Sequence, residues 1–127
     1  MKRVYVAGPY SASGVIEVLN NIRRGIQMAV RVLLAGHAPF CPWLDFQYIL
    51  MFRENQKVGV KDMYKMSLKW LEVSDLLLVQ GDWEKSAGTL GEIEFAKNRR
   101  IPIAYGYVGF REWLFKENKN DNYKGMA

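Results

Sequence analysis

The segment Ser86-Ala87-Gly88-Thr89-Leu90-Gly91-Glu92 brings a hydroxyl, two glycines and a carboxylate together at the expected entrance of a helix. Two readings fit it. In the first, Thr89 is the N-cap and Glu92 the third helical residue, a Thr-x-x-Glu capping box that satisfies free N–H groups and does no chemistry. In the second, Ser86 and the neighbouring N–H groups hold an anion while Glu92, one turn in, faces the mouth of a sheet. A carboxylate there can attack an anomeric carbon or stabilise an oxocarbenium-like transition state.

A second loop, Gly8-Pro9-Tyr10-Ser11-Ala12-Ser13-Gly14, offers small residues and free backbone N–H groups before another helix. It can cradle a phosphate or a sugar, or it is an ordinary strand-to-helix turn. It is neither a Walker loop nor a G-x-G-x-x-G fingerprint. Tyr5 precedes it on the expected strand, with Tyr5 and Ala7 on the opposite face from Val4 and Val6. Its ring suits packing, and its hydroxyl can reach a carboxylate across the strand ends. Ser67 is a polar residue on an otherwise apolar stripe; it either bonds back to its own helix or forms a polar wall of a pocket. Trp43, Phe46, Tyr48 and Phe52 cluster with Asp45. A base can stack there, but a satellite core is the simpler use of so many rings. Arg23, Arg24, Arg31, Lys97, Arg99 and Arg100 are spread over two helices and read as solvated faces, not as a nucleic-acid stripe.

These residues need elements to position them. Lys2 to Ala7 reads as a strand, and Val15 to Ala35 as an amphipathic helix closed by Gly36, with Val15, Leu19, Ile22, Ile26, Ala29, Val30 and Leu33 at three- and four-residue steps. His37 to Phe40 is a second strand, and Phe46 to Phe52 has no clear pattern. Val60 to Ser74 is helical by spacing, with Val60, Met63, Tyr64, Ser67, Leu71 and Ser74 on one face. Asp75 to Gln80 is a continuous Leu/Val strand, Gly88 to Arg99 a helix, Ile101 to Tyr105 a strand and Phe110 to Lys116 a short last helix. Apolar strands alternating with helices imply a flavodoxin- or Rossmann-like three-layer α/β sandwich, with a central, mostly parallel sheet of four to five strands. In such sheets ligands bind beyond the carboxyl ends of the strands, where both candidate loops fall.

Composition agrees with one compact domain. The chain has 127 residues, 50% of them hydrophobic and 24% charged, which disorder and fibrous repeats do not fit. The expected domain is residues 1–117, with 118–127 as a flexible tail. The net charge is 18 − 13 = +5, a mild excess. The first apolar run stops at Gly8-Pro9, too short for a secretion signal, and Ile26 to Ala35 is broken by Gln27 and Arg31, far below the roughly 18 to 20 residues of a membrane span. A single cysteine, Cys41, and a single histidine, His37, permit neither an internal disulfide nor a His/Cys metal cluster within one chain. A reducing, cytoplasmic location and chemistry without metal or cofactor are expected.

With the first strand, the Gly8-Pro9-Tyr10-Ser11 loop, the Ser67-Leu68-Lys69-Trp70-Leu71-Glu72-Val73-Ser74-Asp75 segment and Ser86-x-Gly88-x-x-x-Glu92 in place, the chain resembles the nucleoside 2-deoxyribosyltransferase-like superfamily. The resemblance spans Val4 to Tyr105. It is nearest to small phage and bacterial members and to the 2′-deoxynucleoside 5′-monophosphate N-hydrolase branch. The resemblance implies a flavodoxin-like fold, a homodimer or larger homo-oligomer with sites completed by a neighbouring subunit, and cleavage or transfer at a nucleoside or nucleotide N-glycosidic bond. It makes Glu92 the nucleophile and Tyr5 its neighbour. It assigns Gly8, Pro9, Tyr10, Ser11, Ser86 and Gly88 to sugar and phosphate, and it leans toward a 5′-monophosphate because Ser86 stands where transferases of free nucleosides have aspartate. The chain departs from the pattern at Ser67, where better-known members place an aspartate. The acid that protonates the base is thereby left open among Asp45, Asp82 and a second subunit. The implied partner is a small nucleotide or nucleoside, with no nucleic-acid polymer and no membrane.

Overall fold

A computed structural model describes residues 1–126, with side chains through residue 120. Four strands form one parallel sheet: β1 (Arg3–Ala7), β2 (Ala38–Phe40), β3 (Leu76–Val79) and β4 (Ile103–Tyr105), in the order β2-β1-β3-β4. The helices are α1 (Val15–Leu34), α2 (Asp45–Met51), α3 (Val60–Glu72), α4 (Ala87–Asn98) and α5 (Gly106–Met126). This is the expected three-layer sandwich, with four strands, all parallel.

Strand alternation divides the core into two. Val4, Val6, Leu76 and Leu78 face one way and pack with Ala29 and Val32 of α1 and Phe110 of α5. Tyr5, Ala7, Leu77 and Val79 face the other way and pack with Leu71 of α3 and Ile93 and Ala96 of α4. The Leu/Val run of β3 is buried on both faces, which is why it is continuous rather than alternating. After β1 the chain crosses to β2 on one side, whereas β3 and β4 lie on the other. The loops after β1 and β3 therefore diverge at the switch point where parallel sheets open a crevice.

Several expectations shift. The Phe46 to Phe52 segment is mostly helical, as α2, and the aromatic cluster is not a satellite core: Trp43 is buried in the main core while Tyr48 is exposed. Trp43 lies over Gly25 of α1, where a Cβ would overlap the indole ring, so glycine is required. This contact joins residues far apart in sequence and has no periodic signature. Gly36 does end α1, in a left-handed conformation (φ 88°) that suits glycine. The last helix runs from Gly106 to Met126, well beyond Phe110 to Lys116, so the expected tail is helical through Met126. Residue 127 lies outside the described residues. Among the described residues no helix is long and apolar enough to cross a membrane.

Candidate active site

The two loops and α4 enclose a cavity of about 710 Å³ beyond the carboxyl ends of β1 and β3. Local sequence explains why they fit so closely. Gly8 follows β1 where a Cβ would overlap the Gln80 side chain, and Gly81 follows β3 with φ 71°, against Pro9. Both positions need glycine, one for close approach and one for a left-handed backbone. The Trp43 Nε1–H donates to the Pro9 carbonyl (3.0 Å) and the Asn21 amide donates to the Tyr10 carbonyl (3.1 Å). The first loop is thus fastened to the core and to α1.

On the α3–α4 side of the sheet, Glu92 and Tyr5 come together. Glu92 is only 7% exposed and lines the cavity floor. Burial pushes its carboxyl up to about 7, partly opposed by the facing Tyr5 hydroxyl. Burial raises the Tyr5 phenol far above its usual range, and the charge of Glu92 raises it further, so Tyr5 stays neutral and can only donate toward that carboxylate. The Tyr5 oxygen is buried and makes no hydrogen bond of regular geometry, although Glu92 and Ser67 are near enough to act on its ionisation. The ring is held in place by stacking on Phe40 at 5.1 Å.

The cap of α4 separates the two readings of its first turn. Ser86, not Thr89, is the N-cap: its Oγ accepts from the Thr89 N–H (3.3 Å) and from the Thr89 hydroxyl (2.9 Å). Glu92 lies beyond the first turn and takes no part in capping. With both acceptor positions of Ser86 Oγ used, its remaining hydrogen-bonding capacity is its own O–H, a donor suited to an anion. Ser67 is 4% exposed and faces the cavity from α3 near Tyr5, as a polar wall. One turn earlier, Tyr64 donates to the Gly88 carbonyl (2.9 Å) and closes over Gly91, where a Cβ would meet its hydroxyl.

Asp45 enters from the first turn of α2, and burial raises its carboxyl above the usual range. All ten expected site residues line this one cavity: Tyr5, Gly8, Pro9, Tyr10, Ser11, Asp45, Ser67, Ser86, Gly88 and Glu92. Sequence reasoning missed Tyr64, whose signal was its place one turn from Ser67 on the same face. It also missed Arg24, which lines the cavity from α1 and is not purely a solvated-face residue. Arg31 and Arg99 do lie at the surface, the first over the Tyr107 ring and the second paired with Glu72 at 2.8 Å. Among the described residues no group of three or more His, Cys, Asp or Glu could hold a metal ion.

Solved structures share this fold. A 2-deoxyribosyltransferase from Bacillus psychrosaccharolyticus is 20% identical with a TM-score of 0.57, the match covering 81% of this chain and 70% of that one. A conserved protein from Enterococcus faecalis V583 is 19% identical (TM-score 0.55; 83% and 62% covered), and a 2-desoxiribosyltransferase from Leishmania mexicana is 15% identical (TM-score 0.57; 83% and 63% covered). This chain therefore spans less than two thirds of the latter two. No curated protein matches in sequence. Residues 2–106, from β1 through β4 with both cavity loops, match the family described as Domain of unknown function (DUF7768), and the chain belongs to that family.

Proposed function

We propose that the protein is a metal- and cofactor-free N-glycosidase that hydrolyses the base–sugar bond of a (2′-deoxy)nucleoside 5′-monophosphate. The observation that carries this reading is the Glu92 carboxyl, buried beside the Tyr5 hydroxyl on the floor of a cavity large enough for a nucleotide. Desolvation weakens the hold of water on the carboxylate, and a carboxyl near 7 is available as a nucleophile at neutral pH. Glu92 attacks C1′ as the base departs, and water then cleaves the glycosyl ester, releasing the sugar 5-phosphate. Tyr5 orients Glu92. Gly8 to Ser11 and Gly88 hold the sugar and phosphate, and Ser86 donates to the phosphate at the N-terminus of α4.

The assay incubates the protein with each monophosphate and resolves free base by chromatography. Wild type should release base and Glu92→Ala should not; no release with any monophosphate overturns the reading. A second reading is base exchange, favoured by the fold shared with two proteins named as deoxyribosyltransferases. Adding a second free base separates the two, because a new nucleoside or nucleotide forms only in transfer. A third, nucleotide sensing without turnover, predicts tight calorimetric binding and no free base. The proposed unit is one domain, β1 through α5, acting in the cytoplasm. It works as a homodimer or larger homo-oligomer, in keeping with the exposed apolar residues Ile49, Val58 and Val60 at the cavity rim.

A further inference from the structure

The cavity is built from two sides of the sheet. Tyr5 and Glu92 belong to the α3–α4 layer, whereas Tyr10 packs against the α1–α5 core that also holds Trp43, two residues before Asp45. On this second side the Tyr10 hydroxyl is buried and has no hydrogen-bond partner among the described residues. A buried phenol without a partner is costly and rare in native proteins, and it calls for a role. The Tyr10 carbonyl is bonded to Asn21 and the Pro9 carbonyl to Trp43, so the loop backbone is fixed and the hydroxyl finds a partner only when the side chain turns toward a ligand in the cavity that Tyr10 lines. Asp45 is the acidic residue that acts on this hydroxyl, and both line the cavity.

We propose that Tyr10 and Asp45 form a second hydroxyl–carboxyl pair, facing Tyr5 and Glu92 across the cavity, that reads the departing base and delivers its proton. The proposal rests on the glycosidase reading and adds the missing acid. A purine or pyrimidine leaves poorly as an anion, and the α3 face supplies only hydroxyls, Tyr64 and Ser67, which are too weak as acids. The other carboxyls of the cavity, Glu17 and Asp82, are exposed, whereas Asp45 is half-buried and its carboxyl is displaced toward the protonated form. As the C1′–N bond breaks, its electron pair stays on the base nitrogen and the Asp45 proton moves to the base, while a Glu92 oxygen bonds C1′. In the second step water attacks C1′ and gives one proton to the Asp45 carboxylate. The Glu92–C1′ bond breaks with its electrons returning to Glu92. The sum is nucleotide plus water to free base plus sugar phosphate. The Tyr10 hydroxyl, unpartnered among the described residues, turns to bond a ring or exocyclic atom of the base and holds it against Asp45.

The test compares 2′-deoxyguanosine 5′-monophosphate with its N7-methylated form, whose base leaves without being protonated. Asp45→Asn should slow release from the ordinary substrate by about 100-fold or more and from the methylated one by no more than a few-fold. Tyr10→Phe should lose about tenfold on the ordinary substrate, the size of one hydrogen bond. Equal losses on both substrates, or none, overturn the proposal. Calorimetric titration with free adenine, hypoxanthine, cytosine and thymine needs no turnover. Wild type should bind at least one of these bases, and Tyr10→Phe and Asp45→Asn should bind it about tenfold more weakly. If wild type releases no base from any nucleotide the glycosidase reading falls, and the titration alone decides on Tyr10 and Asp45. Equal affinity in all three proteins, or no base bound by wild type, overturns it.

Discussion

Replacing Glu92 by glutamine should make the protein more stable and inactive at once. In the folded chain the Glu92 carboxyl is pushed up to about 7 from an ordinary value of 4.5, chiefly by burial. Between those values the folded state holds a proton that the unfolded state has released. Stability therefore falls as pH rises through this window, and the loss is complete above about pH 7. At about 1.4 kcal/mol per pH unit, the interval of 2.5 amounts to a penalty of about 3 kcal/mol in alkaline solution. Glutamine is neutral at every pH and of nearly the same shape, so it escapes the penalty. The gap between variant and wild type should grow from a few tenths of a kcal/mol near pH 4.5 to about 3 kcal/mol above about pH 8, on the order of 10 °C in Tm for a chain of this size. Denaturant melts of both proteins across that range provide the assay. A gap that does not change with pH, or a glutamine variant less stable than wild type in alkaline solution, would refute the reasoning that desolvation dominates at Glu92.

Three further outcomes concern the cavity and the core beneath it. Base release should lose activity as pH falls below about 7, because the proposed nucleophile is the ionised Glu92 and its carboxyl is raised; a kcat/KM profile with its midpoint near the ordinary 4.5 would contradict this. Ser86→Asp keeps an N-cap acceptor but repels a phosphate, so KM for the monophosphate should rise at least about tenfold with little change for the free nucleoside; Ser86→Ala should instead cost about 0.5–2 kcal/mol in a denaturant melt. Gly25→Ala drives a methyl group into the Trp43 ring and should destabilise the fold by about 1–3 kcal/mol or more, read from the denaturation midpoint; an unchanged midpoint would mean that the helix and indole separate freely.

Much of this was legible in the sequence because it depends on local period. The two-residue alternation of Val4, Tyr5, Val6 and Ala7 places Tyr5 on the Glu92 side, and the apolar run of β3 marks a strand buried on both faces. The α4 cap was ambiguous for a physical reason: Ser86-x-x-Thr89 and Thr89-x-x-Glu92 have the same capping grammar, and only the tertiary burial of Glu92 selects the first. The α3 stripe misleads at its start, where Val60 keeps the period yet is 85% exposed at the cavity rim. The length of α5 was underestimated because its later residues are polar and carry no apolar period. Trp43 was hidden most deeply, since its partners Gly25 and Pro9 are distant in sequence and each contact is a matter of three-dimensional fit.

That tryptophan also bears on how the family can diversify. One ring fills the core above Gly25 and, through its Nε1–H, fixes the Pro9 carbonyl beside Tyr10. The proposed reader of the leaving group is therefore mounted on the foundation of the fold, on a loop whose backbone is held against swinging aside for a bulkier or differently shaped ligand. A descendant with new selectivity would have to exchange the side chains at Tyr10 and Asp45 while leaving the backbone that carries them untouched. Directed evolution of this cavity should accordingly yield substitutions at those two positions and few insertions in the loop that joins β1 to α1.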